Sequence, residues 1–135
     1  MREKALRVGT VISLSLHLCA GLVGAVIMPV LIFGYSESLF DTGIASRSGY
    51  YTQWILFLVL AVLSTVSLVA LVKRKPWFAI PAWITVAFIS LDIAVESVLG
   101  REEWWAVGIE IPLLALIVGY LVTPRAANRS TQESR

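Results

Sequence analysis

Long apolar stretches alternate with short polar ones along this 135-residue chain, running almost without interruption through residues 8–33, 52–72, 77–99 and 104–122. A helix needs about 20 residues to cross a hydrocarbon core of ~30 Å, and in lipid its backbone polar groups must be satisfied within the segment itself. The pattern therefore predicts an all-α fold, a four-helix transmembrane bundle forming one membrane domain over residues 1–125. A polar tail at 126–135 is expected to be disordered and cytoplasmic. The first run follows a basic start, as a signal peptide would. It exceeds the roughly 7–15 apolar residues of a signal core, so it is expected to remain a span.

The polar stretches set the expected layout. Arg2, Lys4 and Arg7 precede the first run, Lys73, Arg74 and Lys75 separate the second from the third, and Arg125, Arg129 and Arg135 follow the fourth. Only Arg47 and Arg101 occupy the other two connections. This bias places both termini and the turn between spans two and three in the cytoplasm, as in a multi-pass protein of the bacterial cytoplasmic (inner) membrane. Residues 34–49, rich in Gly, Ser and acids, read as an exterior loop. The short connections around Lys73 and Arg101 imply that spans two, three and four pack in sequence order, leaving span one on a long tether. Tyr35, Phe40, Tyr50, Tyr51, Trp54, Trp104 and Trp105 form an expected outer aromatic belt, and Trp77, Phe78, Trp83 and Tyr120 an inner one. Pro29, Pro81 and Pro112 are expected to free helix carbonyls that need partners inside the bundle.

Composition sharpens the class. The chain is 58% apolar and 15% charged, against about 25% charged for soluble domains, so the lipid bilayer is its implied partner. The net charge of +2 is spread over the span flanks, with no basic domain surface of the kind that binds nucleic acid. The single cysteine, Cys19, rules out an intramolecular disulfide.

Candidate chemistry falls into two groups. In the first run Ser13, His17, Gly21, Gly24 and Met28 share a helical face, and Ala20 with Gly24 and Gly21 with Ala25 make small-xxx-small pairs. Ser13, Ala20, Gly21, Gly24 and Ala25 are thus the expected packing face, toward the bundle, a second copy or another integral membrane protein. His17 lies ~14 Å deep by helical rise, level with Ser64, Thr65, Ser67 and Thr85. That hydroxyl layer is expected to satisfy the imidazole, with a proton relay as the alternative use.

The second group is acidic. Asp92 and Glu96 stand four apart on one stripe of the third span, and Glu110 overlaps them in depth in the fourth. A carboxylate at mid-helix costs roughly 2.5–3.5 kcal/mol even on the permissive insertion scale, and no lysine or arginine falls within any apolar run. Each acid must be protonated, hydrated or matched by a partner. Asp92, Glu96, Glu110 and His17 are therefore the candidates for proton or cation handling or for meeting a partner's charge. His17 sits at the wrong depth to complete a metal site with the acids. Neither a cofactor motif nor a nucleophile–base constellation is present, so no metal, no cofactor and no enzymatic activity are expected.

Two segments carry a resemblance, Ala70-Leu71-Val72-Lys73-Arg74-Lys75-Pro76-Trp77-Phe78-Ala79-Ile80-Pro81 and Gly119-Tyr120-Leu121-Val122-Thr123-Pro124-Arg125. With the long loop after span one, they resemble the landmarks of a family of short bacterial four-span inner-membrane proteins of unknown function. The resemblance implies architecture and location and transfers no functional residue. The expected role is an accessory or interaction subunit of a membrane assembly. A small proton- or cation-coupled carrier, homodimeric at this size, is the alternative, and a toxin-immunity-type membrane protein the third.

Overall fold

The computed structural model describes residues 1–34, 47–98 and 104–123. The expected exterior loop, the connection after span three and the expected disordered tail lie largely outside the described residues. Among the described residues four α-helices follow in order: α1 (Arg2–Gly34), α2 (Arg47–Val72), α3 (Ala79–Val98), preceded by a 3-10 turn at Pro76–Phe78, and α4 (Trp104–Leu121). All four spans are long and apolar enough to cross a membrane. The protein is an all-helical, multi-pass membrane protein.

Two helices begin earlier than the apolar pattern predicts. α1 already includes Arg2, Lys4 and Arg7, and α2 starts at Arg47. Hydropathy marks where the hydrocarbon begins, whereas the backbone pattern persists into the interface, where long basic side chains reach water. Spans two, three and four pack in sequence order, as expected. α1 packs most extensively on α2 and also on α4, and α3 joins α2 to α4, so span one is held on two sides and stands diagonal to α3. Loop length limits which helices are neighbours but does not choose the neighbours of the helix on the long tether.

Burial is inverted relative to a water-soluble bundle. Thr10, Ser13, Ser64, Ser67 and Thr85 are completely buried, while Val26, Phe33, Val62, Ile80, Leu91 and Trp104 are among the large apolar residues turned outward. Lipid is as apolar as leucine, so helices gain little by hiding large side chains from it and much by close approach and interhelical hydrogen bonds. The buried apolar cluster of Leu14, Ala70, Leu71, Phe78, Ala82, Val86, Ile117 and Leu121 lies toward one end. There the start of α1, the end of α2, the start of α3 and the end of α4 meet. Phe78 belongs to this cluster and meets the Tyr120 ring edge-on at 5.8 Å, so it is core and not belt, whereas Trp77 and Trp83 are exposed as expected of a belt.

α1 and α2 approach closely farther along. A Cβ on Gly21 would stand 2.8 Å from the Ala61 nitrogen and 3.0 Å from the Phe57 carbonyl oxygen, and one on Gly24 would strike the Phe57 ring. Backbone lies against backbone there, which only a glycine allows. The proline expectations resolve differently. Pro29 removes the donor that would serve the Ala25 carbonyl, and the Trp54 indole Nε1 of α2 donates to that oxygen at 3.0 Å. Pro81 falls in the first turn of α3, where its missing N–H costs nothing, so it frees no carbonyl inside the helix. α2 ends in a Schellman closure, with Lys75 N–H donating to Ala70 O and Arg74 N–H to Leu71 O. Arg74 occupies its left-handed position at φ 52°, usually a glycine's place, at a cost of roughly 1–2 kcal/mol.

Candidate functional site: a buried polar row and a half-buried acidic flank

α1 carries the polar row because Thr10, Ser13 and His17 recur at offsets of three and four and share its inward stripe. The single Thr10 proton serves Leu6 O at 2.8 Å or Leu116 O on α4 at 3.1 Å, and Ser13 donates to Leu113 O on α4 at 2.9 Å. Across the bundle, Thr85 donates to Pro81 O at 2.8 Å and lies 3.2 Å from the Ser67 hydroxyl. Since the Thr85 proton is committed to the carbonyl, Ser67 is the donor of that pair. These contacts tie α1 to α4 and α2 to α3. Interhelical hydrogen bonds in membranes contribute about 0.6 kcal/mol each on average.

His17 is 6% exposed, with Nδ1 2.8 Å from Ser13 O. A carbonyl only accepts, so Nδ1 carries the proton and Nε2 of the neutral imidazole is an acceptor. The expected hydroxyl layer does not satisfy this ring. Nε2 is buried with no hydrogen-bond partner, and so is the Ser64 hydroxyl. The antiparallel register that sets Gly21 against Ala61 brings His17 and Ser64, each about one turn away, to the same level of the α1–α2 seam. Thr65, expected in this layer, is exposed, with its hydroxyl on Ala61 O at 2.7 Å.

The packing-face residues divide. Ser13, Gly21 and Gly24 are buried, Ala25 is half-buried, and Ala20 is exposed. Ala20 precedes Gly21 by one residue, a rotation of about 100°, so sequence spacing to Gly24 is not enough to bring it inward. Thr10 is the residue that sequence reasoning missed. Its signal was the three-residue step back from Ser13 along the same stripe.

Asp92, Glu96 and Glu110 are each half-buried. Asp92 and Glu110 have interaction partners within the chain. Among the described residues, no three His, Cys, Asp or Glu side chains gather closely enough to hold a metal ion, so the three acids share a depth without converging on a point. Around them the bundle is less filled. The buried residues of α3 are Pro81, Ala82, Thr85, Val86 and Ile89, and those of α4 are Ile117 and Leu121. All lie toward the basic end, whereas α1 and α2 have buried seam residues well beyond it.

Compared with family models, curated proteins and solved structures, the chain matches none.

Proposed function

We propose that this chain is a small accessory subunit of a bacterial cytoplasmic-membrane assembly, both termini in the cytoplasm. On this reading, the half of α3 and α4 that lies away from the basic end docks against helices of another integral membrane protein. One observation carries the proposal. Among the described residues of the last two helices, burial stops at Ile89 and begins again only at Ile117, and Asp92, Glu96 and Glu110 between them are each partly open to their surroundings. Acyl chains are poor neighbours for such groups; polar side chains or basic groups of a partner helix are good ones. The polar row supports this over a carrier, because Ser13 and Ser67 spend their hydroxyl protons on bonds between helices and Thr85 spends its own on a carbonyl of its helix.

The test is site-specific photocrosslinking in native membranes. A photoreactive residue at Leu91, Val95 or Ile109 should capture protein of another chain, while the same residue at the equally exposed Val62 or Val69 of α2 should capture only lipid. Capture of a second copy at the α3 and α4 positions would replace a foreign partner with self-association. Lipid alone at all five positions would overturn the proposal.

A further inference from the structure

At the basic end the four helices leave a cavity of about 370 Å³ between them. Among the described residues its wall takes Lys4 and Arg7 from α1 and Arg74 and Lys75 from the turn after α2, against one carboxylate, Glu3. Its inner surface is apolar, with Leu71 and Phe78 contributing. The Arg7 guanidinium is pinned at the cavity edge by donating one N–H to Leu71 O at 3.3 Å, one of the five donors that its planar fork carries. The Schellman closure fixes the backbone from which Arg74 and Lys75 project.

A second, independent observation falls on the same wall. Arg74 holds the left-handed position that glycine occupies at no steric cost. A strained residue retained where a cheaper one exists points to a use for its side chain, and this side chain lines the cavity.

We propose that this cavity binds a phosphate-bearing anion, the headgroup of an anionic phospholipid whose acyl chains continue along the exposed apolar faces of the helices. Clustered cations supply charge-assisted bonds to phosphate oxygens, basic pockets between spanning helices take such headgroups, and the volume is within the range of small-ligand sites. The site is independent of any partner protein.

The test uses the full chain, purified and reconstituted in bilayers of phosphatidylcholine alone or with added phosphatidylglycerol. Thermal midpoint and lipid retained in native mass spectrometry are the readouts. Phosphatidylglycerol should raise the midpoint and be retained over phosphatidylcholine. Arg74→Gly should raise the midpoint in phosphatidylcholine, by relieving strain, yet lose most of the increment that phosphatidylglycerol gives. Lys75→Gln should weaken retention about tenfold or more, as loss of a direct bond to a charged group does. Lys73→Gln lies beside it but outside the cavity wall, and should weaken retention only by the roughly fivefold that any cation near an anionic surface contributes. Inorganic phosphate in detergent distinguishes the sources. The same variant order with phosphate alone would assign the site to the free ion, and an effect from lipid only would assign it to the headgroup. Equal losses in Lys73→Gln and Lys75→Gln, or equal retention of the two lipids, would overturn the proposal.

Discussion

Pro29 and Trp54 should behave as one unit. Pro29 has no N–H to give the Ala25 carbonyl four residues earlier, and the Trp54 indole crosses the seam from α2 to supply one at 3.0 Å. Trp54→Phe keeps an aromatic ring and removes that donor. Interhelical bonds in membranes reach about 1.7 kcal/mol at most; this one serves a carbonyl with no donor of its own, so a loss of ~1–1.5 kcal/mol is expected. In a Pro29→Ala background the restored N–H of residue 29 bonds Ala25 O within α1. Trp54→Phe should then cost roughly 0.5 kcal/mol or less, the remainder due to packing, giving a coupling of about 1 kcal/mol by double-mutant cycle. The measurement is unfolding by sodium dodecyl sulfate in mixed micelles, followed by far-ultraviolet circular dichroism so that loss of a tryptophan does not alter the signal. Equal costs of Trp54→Phe in the two backgrounds would refute the assignment of the indole to the proline-freed carbonyl.

The same assay tests three further expectations. Gly21→Ala puts a Cβ 2.8 Å from the Ala61 backbone nitrogen and should destabilise by about 1–3 kcal/mol, the range for overpacking, whereas Gly108→Ala, with nothing within 4 Å of its Cβ, should cost nothing. Ser64→Ala deletes a buried hydroxyl that has no partner and should leave stability unchanged or raised, while Ser67→Ala breaks the bond to Thr85 and should lower it by ~0.6 kcal/mol or more; the reverse order would refute the proton assignments. Gly24→Ala should be destabilising in the wild type and largely rescued by Phe57→Leu, because the obstacle is the Phe57 ring and not backbone. For topology, cysteines placed singly at positions 4 and 123 in a Cys19→Ser chain should both be shielded from a membrane-impermeant maleimide in intact cells and labelled in inverted vesicles.

The four spans were legible because length and hydropathy alone decide them, with no need to know which way any side chain faces. The α1–α2 seam was partly legible: Gly21 and Gly24 with Ser13 and His17 mark a stripe whose residues have little reason to face lipid. Orientation on α2 was not. Ser64 and Thr65 are adjacent and chemically alike, and only the register set by Gly21 against Ala61 turns Ser64 in and Thr65 out. The role of Trp54 was hidden for the same reason, since its partner is defined by a proline on another helix. The acids were readable as a depth but not as a constellation, because convergence depends on how α4 is rotated against α3.

The two halves of the chain solve the same packing problem by different means. α1 and α2 use glycine and a proline-freed carbonyl to hold together well beyond the basic end, so their hairpin owes little to the rest of the bundle. α3 and α4 are fastened mainly at that end, through Ala82, Val86, Ile117 and Leu121 and through hydroxyl bonds to the hairpin. A helix anchored at one end can swing at the other for little energy, because few contacts are broken. The acidic residues sit on the less buried half of α3 and α4, and the basic cavity beside the buried cluster. A docking flank gains from such freedom, whereas a headgroup site gains from fixed donors that need no ordering when the ligand arrives.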